Sequence, residues 1–305
     1  MPARGAALPL PDPTLLLRSP AFEVTACALG LAVGSFANVC IHRLPGDYQP
    51  ATGRLAWAID LWQEVRSVVH PPSHCPHCER PIRPWDNVPI LSWLALRGRC
   101  RHCRAPIAWR YPAVEAANGA LWLALAVMRG PTWATLASML LVTALLVLSL
   151  IDLEHQLLPD AITLPGIVLG LVASFLRDGL VGLGGAALAA AGGWLTFAFV
   201  KIAWKKLRHV DALGKGDWKL AAMLGAFFGW GRLLLTVFLA TVSGALVGVL
   251  LLVFRKGGWQ SALPFGTFLG AAGIVMAFFG DEIVIRHREL ALWFGDAVRA
   301  WFLGG

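Results

Sequence analysis

Apolar runs recur along most of the chain and are separated by short polar breaks. A bilayer core about 30 Å thick is crossed by about 20 helical residues, so runs of that length read as spanning helices. The pattern predicts eight, over about 21–41, 113–129, 132–151, 161–176, 179–200, 217–231, 233–254 and 262–280. The second, fourth and sixth are short and partly polar, which leaves seven or nine open. The expected class is an all-α polytopic membrane protein with about eight transmembrane helices. One segment breaks the pattern: residues 43–112 are basic and punctuated by proline, and they predict a cytoplasmic loop domain between the first and second helices. The expected organisation is an N-terminal tail over 1–20, a first membrane helix over 21–42, the loop domain over 43–112, a membrane domain over 113–280 and a C-terminal tail over 281–305.

Composition strengthens the membrane reading. Mean hydropathy is +0.64, and only 14% of residues are charged, against about 25% in soluble chains. Pro2, Pro9, Pro11, Pro13 and Pro20 crowd the start, with no small-residue cleavage site after a compact apolar core, so the first helix is expected to stay as an anchor. The tail from Asp281 to Gly305 reads as an amphipathic or interfacial segment carrying Trp293 and Trp301.

The net charge of +8 first suggests nucleic acid, but the basic residues are unevenly placed. With the first helix running inwards, the inner loops hold ten Arg from Arg43 to Arg110, six Lys or Arg from Lys201 to Lys219, and Arg255 and Lys256, leaving eight of 26 outside. The positive-inside rule then puts the N-terminus outside and both Asp152 and Asp217 at the cytoplasmic ends of their helices. Anionic lipid headgroups, not nucleic acid, become the natural partners of this charge.

The loop domain contains Cys75-Pro76-His77-Cys78 and Cys100-Arg101-His102-Cys103, two CxxC pairs separated by 21 residues. That spacing fits a structural zinc ion held by four thiolates. Disulfides or a redox pair are the alternatives, and a reducing cytosol without a thioredoxin-like pattern disfavours both. His74, His77 and His102 could stand in as ligands. A loop of about seventy residues with little apolar surface has reason to use a metal staple. Cys27 and Cys40, among apolar neighbours, read as small buried hydrophobes.

Asp152 and Asp217 each stand at the polar edge of a long apolar run. An ionisable residue near membrane depth costs roughly 2.5–3.5 kcal/mol at the centre and less near the ends, so each is a candidate functional group. Asp152 ends the run Leu145–Ile151, where a carboxylate opposes the helix dipole. Asp217 lies in Gly214-Lys215-Gly216-Asp217-Trp218-Lys219, where Gly214 and Gly216 permit a sharp turn and close approach to an extended peptide. As a plain helix N-cap, Asp217 would need no chemistry. Together the two could hydrolyse a peptide, one taking a proton from water while the other polarises the carbonyl, with one proton shared between them. Glu154, Asp160 and Asp211 are competing carboxylates, of which Asp160 is expected to cap the fourth helix. Lys219, two residues past Asp217, points to a different helix face and is not an obvious partner for it.

In order along the chain come Gly34-Ser35-Phe36-Ala37-Asn38-Val39, Arg43-Leu44-Pro45, the two CxxC pairs, Asn87-Val88-Pro89, Arg110-Tyr111-Pro112 with Glu115, Asp152 with Leu158-Pro159-Asp160, the GxGDxK stretch and Pro264-Phe265-Gly266. Over about residues 21–280 this series resembles the type IV prepilin peptidases, or leader peptidase and N-methyltransferases, of the GxGD aspartyl protease class. GxGD also occurs in presenilin-like proteases, from which the tetracysteine loop separates this chain. Ala37 and His42 are mild departures, standing where Leu and Tyr are commoner.

The resemblance implies a multi-pass protein of the bacterial inner membrane. It would cut the basic leader from type IV prepilins and type II secretion pseudopilins at the cytoplasmic face, between a Gly and a usually aromatic residue. Many members then methylate the new N-terminal amine from S-adenosylmethionine. By motif position Asp152 and Asp217 would be the catalytic pair, Gly214, Gly216 and Lys219 the active-site loop, and Cys75, Cys78, Cys100 and Cys103 the zinc ligands. Asn38, Arg43, Asn87, Arg110, Tyr111 and Glu115 could line a methyl-transfer site, or could simply brace the loop. A transporter with carboxylate proton relays, or a zinc-loop assembly protein of a pilus or secretion machine, are the rival readings from other classes.

Overall fold

The computed structural model describes residues 20–46, 56–70, 72–176, 181–208, 214, 216–254 and 263–303. Among them there are helices, one 3-10 turn over Pro84–Asn87 and two isolated β-bridges, and no strand. The helices are α1 (Pro20–Arg43), α2 (Ala56–Val69), α3 (Leu91–Ala95), α4 (Arg110–Arg129), α5 (Trp133–His155), α6 (Asp160–Phe175), α7 (Leu183–Arg208), α8 (Asp217–Val253) and α9 (Phe265–Leu303). The expected proline-rich tail, Arg255, Lys256 and Asp211 lie outside the described residues, as do the side chains of Trp293 and Trp301.

Five helices, α1, α5, α7, α8 and the first part of α9, are long and apolar enough to cross a membrane. The count of eight is therefore not established. The expected second helix is α4, which carries Arg110, Glu115 and Asn118 along its length, and the expected fourth is α6, which is apolar but has only 16 residues. The expected sixth and seventh helices form one element, α8, broken at Gly229. There φ is 71° and ψ is 179°, a conformation open in practice only to glycine. The chain reverses at this point: Arg232 pairs with Asp281 well along α9, whereas Gly244 meets Phe268 in the first turn of α9.

Local chemistry sets several helix ends. The Thr132 hydroxyl accepts from the Thr135 N–H at 3.0 Å and opens α5. Gln156, in the left-handed region with φ 52°, closes α5 by donating its N–H to the Asp152 carbonyl. No glycine–proline stop follows Gly280, and α9 continues to Leu303 past the expected boundary.

Leu145, Leu148, Leu220, Leu224, Phe227, Leu269 and Met276 form the centre of the bundle, drawn from α5, α8 and α9. Helices α1, α4 and α5 are joined through buried polar groups. Asn118 donates to the Gly30 carbonyl at 2.7 Å, Thr143 donates to Asn118 Oδ1 at 2.8 Å, and Trp122 Nε1 donates to Thr143 at 2.9 Å. Lipid offers no hydrogen bonds, so a closed chain of this kind holds its helices in register.

Candidate active site and metal centre

The two cysteine pairs fold as matching knuckles. Cys75 N–H donates to the Arg80 carbonyl and Glu79 N–H to the Cys75 carbonyl; Cys100 N–H donates to Ala105 and Arg104 N–H to Cys100. Glu79 and Arg104, the residues after each second cysteine, both have positive φ. Bridges His74 to Pro81 and Arg99 to Pro106 close the two loops. The four sulfurs lie within 4.8 Å of one another, and Cys75 Sγ is 3.7 Å from Cys103 Sγ. Tetrahedral zinc with Zn–S bonds of about 2.3 Å needs sulfurs about 3.8 Å apart, so the donor set fits that ion. Backbone N–H groups of Cys103 and His102 point at the Cys100 sulfur and lower its pKa to about 6, which favours a thiolate. The His102 ring is taken up by Arg80, at 3.2 Å from Nη1, and His74 by the Pro72 carbonyl. Arg101 grips Asp86 and ties the second knuckle to the 3-10 turn, holding the Asp86 carboxyl below its usual range.

A cavity of about 750 Å³ lies between the knuckles, the end of α1 and the start of α4. Asn38, Arg43, Asn87, Tyr111 and Glu115 line it, as do Cys75 and Cys100. Several of these groups also brace the loop: Asn38 Nδ2 donates to the Tyr111 carbonyl at 3.0 Å, and Glu115 Oε2 accepts from the Ile90 N–H at 2.8 Å. Arg43 Nη1 donates to the carbonyls of Ser67 and Val68 at the end of α2. Arg110 is not among the lining residues; it pairs with Glu154 at 2.5 Å, just past Asp152. The volume is within the range of small-molecule sites.

Asp152 and Asp217 are both buried and come from different helices. The turns that carry them both border Leu158: Gly216, next to Asp217, and Gly266, against Asp152, each pack on its side chain. Asp152 Oδ2 accepts from the Thr267 N–H at 2.6 Å and from Thr267 Oγ1 at 3.1 Å. Thr267 lies in the first turn of α9, so the positive end of that helix faces a carboxylate at the negative end of α5. Asp217 is the first residue of α8, and its Oδ2 accepts from the Gly214 N–H at 2.7 Å. Gly216, not Asp217, occupies the N-cap position, and no side chain caps the helix.

Leu158 is wedged between the two aspartate-bearing segments. A Cβ on Gly216 would meet Leu158 Cβ at 2.4 Å, and one on Gly266 would meet Asp152 Cγ at 2.9 Å and Leu158 Cδ1 at 3.0 Å. Gly216 of the GxGD motif and Gly266 of PFG are thus required by close packing. Lys219 Nζ binds Asp160 at 2.5 and 2.6 Å. Asp160 therefore anchors the GxGD turn instead of capping α6, whose N-cap is Pro159. Thr267 was not anticipated as a site residue; its position directly after Pro264-Phe265-Gly266, at a helix start, was the available signal. Lys201 was also missed; it lies over the Trp218 ring at 5.5 Å, beside Asp217, and Trp218 stacks on Trp194.

Residues 28–129 match the family model described as Bacterial Peptidase A24 N-terminal domain, and residues 139–249 match the Type IV leader peptidase family. Curated relatives named prepilin leader peptidase/N-methyltransferase include one from Stutzerimonas stutzeri, 42% identical over 89% of this chain and 95% of its own. Others come from Pseudomonas aeruginosa, 41% identical over 89% and 95%, and Pseudomonas putida, 41% identical over 91% and 98%. No solved structure matches. With that identity over nearly the whole of each relative, the chain belongs to the type IV leader peptidase family.

Proposed function

We propose that this protein is an inner-membrane aspartyl endopeptidase that removes the leader of type IV prepilins and type II secretion pseudopilins and N-methylates the residue it exposes. The family and the relatives' names support this reading over transport or scaffolding. The observation that supports the chemistry is that Asp152, from α5, and Asp217, from α8, are both buried beside Leu158 at one end of the bundle.

Acting as a pair, the two carboxylates would share a proton, because ionising both at close range is costly, and would titrate as a unit. One takes a proton from water as its oxygen attacks the scissile carbonyl carbon; the other gives its proton to the carbonyl oxygen. Collapse of the tetrahedral adduct breaks the C–N bond, and the departing nitrogen takes a proton to leave as a free amine. In both residues the described hydrogen bonds fall on Oδ2, which leaves Oδ1 for this proton traffic. Thr267 and Gly214 hold the carboxylates in place, and the Lys219–Asp160 pair fixes the turn that presents Asp217.

Zinc would hold the two knuckles together through Cys75, Cys78, Cys100 and Cys103, with no ligand position left for catalysis. S-adenosylmethionine would supply the methyl group; Asn38, Asn87, Tyr111 and Glu115 would bind and orient groups in the cavity beside the knuckles. The excess of basic residues in the predicted inner loops supports a periplasmic N-terminus and a site at the cytoplasmic face. A prepilin could then keep its apolar helix in the bilayer while its basic leader stays in the cytosol.

The test is to incubate the full-length protein in vesicles with a prepilin and labelled S-adenosylmethionine. The expected product lacks the leader and carries one added methyl on its new N-terminus. Uncut prepilin under conditions where the protein is folded would count against the reading.

A further inference from the structure

Helix α2 carries its polarity the wrong way round for a helix in water. Asp60, Glu64 and Ser67 are partly buried against the protein. Trp57, Ile59, Trp62, Val65 and Val69 point away from it, with exposures of 59, 45, 65, 41 and 66%. An exposed row of two Trp and three branched aliphatic residues calls for an apolar surrounding.

What surrounds α2 follows from its attachments. At its C-terminal end, Arg43, the last residue of α1, donates to the Ser67 and Val68 carbonyls at 3.3 and 3.1 Å. One turn earlier, Glu64 Oε2 accepts from the N–H of Ala161, in the first turn of α6, at 2.6 Å. Val68 packs against the cluster that contains Ala37, Cys40, Ile41 and Ile151, the last of these next to Asp152 in sequence. Helix α2 is thus fixed across the ends of three apolar helices, at the end of the bundle that holds both aspartates. Both aspartates stand at the polar edge of an apolar run, which marks this end of the bundle as a rim of its apolar surface. Both helices it is tied to show outward apolar side chains, Val24, Leu29 and Phe36 on α1 and Val168, Val172 and Phe175 on α6. The outer row of α2 is exposed in the same way.

We propose that α2 is an interfacial helix that lies in the headgroup and upper acyl region of the bilayer, with Trp57, Ile59, Trp62, Val65 and Val69 in lipid. Amphipathic helices with Trp on the apolar side occupy this layer, where the indole ring meets both chains and headgroups. Exposed Arg66, on the outer side, is within reach of anionic phosphates there. The helix acts as an outrigger: seated in lipid and tied to α1 and α6, it sets the height of the knuckle domain over the membrane.

A benzophenone side chain introduced at Trp62, at Val65 or at inward-facing Ser67 tests this in the full-length protein, in vesicles of phosphatidylethanolamine and phosphatidylglycerol. Irradiation should give phospholipid adducts at Trp62 and Val65, unchanged by added prepilin, and none at Ser67. A protein adduct at Trp62, whether to a second copy or to prepilin in place of lipid, would overturn the proposal, as would the absence of any adduct. A second readout needs no crosslinker. The emission lost in Trp57→Phe/Trp62→Phe should be emission that lipids brominated near the headgroup quench in the unsubstituted protein; unquenched emission would overturn the proposal equally.

Discussion

Asp152 occupies a position that its own helix disfavours, since a carboxylate at a helix C-terminus faces the negative end of the dipole. The Thr267 N–H and hydroxyl, at the opposite kind of helix end, offset that cost. Asp217 is held more simply, by the Gly214 N–H across the turn. Lys219 acts through Asp160 and not on Asp217, so it is a positioning residue in this account. Lys219→Met should leave KM near the parent value and lower kcat by roughly ten- to a hundredfold, the scale on which small misplacements of a reacting group act; prepilin cleavage kinetics check it. The aspartates themselves were legible in the sequence because a charge at the edge of an apolar run is conspicuous. Thr267, Lys201 and the Lys219–Asp160 pair were not, because they depend on which helix ends meet, and no local pattern encodes that.

Gly229 lets one helix become two antiparallel arms without an intervening loop, at a backbone conformation that any side chain would strain. Gly229→Ala should destabilise the protein by about 1–3 kcal/mol, seen as a lower Tm in detergent, with the knuckle domain unaffected. The apolar pattern marked both arms of α8 but hid their continuity, since hydrophobicity carries no signal for a single residue of reversed φ. Helix α2 was also hidden: its apolar residues face outwards and its acids inwards, and the surrounding prolines made the region read as loop. Burial holds the Glu64 carboxyl above its ordinary range, against the Ala161 N–H that favours the charge. The stabilisation due to a protonated Glu64 is therefore complete below the ordinary Glu pKa of about 4.3 and is lost as the pH rises through the higher native value. Glu64→Gln cannot ionise and still offers an acceptor to Ala161. Its Tm advantage over the parent should grow as the pH rises through that window, as thermal unfolding at a series of pH values would show.

At the scale of the whole molecule, two sites of different construction stand at one end of a helical bundle. The knuckles and their cavity depend on a loop that has no core of its own, whereas the aspartates are held by packed helix ends, by Leu158 and by α9. Chelation should therefore separate the two activities. If the knuckles hold zinc as proposed, stripping it should abolish methyl transfer while cleavage largely survives, measured on the same prepilin by product mass. The all-helical class, the membrane character and the four-cysteine loop were legible from the sequence, because each rests on composition or on short spacing. The number of crossings was not, since α4 and α6 are too polar or too short for length and hydropathy alone to decide.

Asp152 and Asp217 are proposed to form one catalytic unit. Prepilin cleavage by vesicles carrying the parent protein, Asp152→Asn, Asp217→Asn or both substitutions tests it most directly. Each single variant should bind prepilin and fail to cut it, and the double variant should be no worse than either alone, as expected for residues that act together. Cleavage at the parent rate in either single variant would contradict the account.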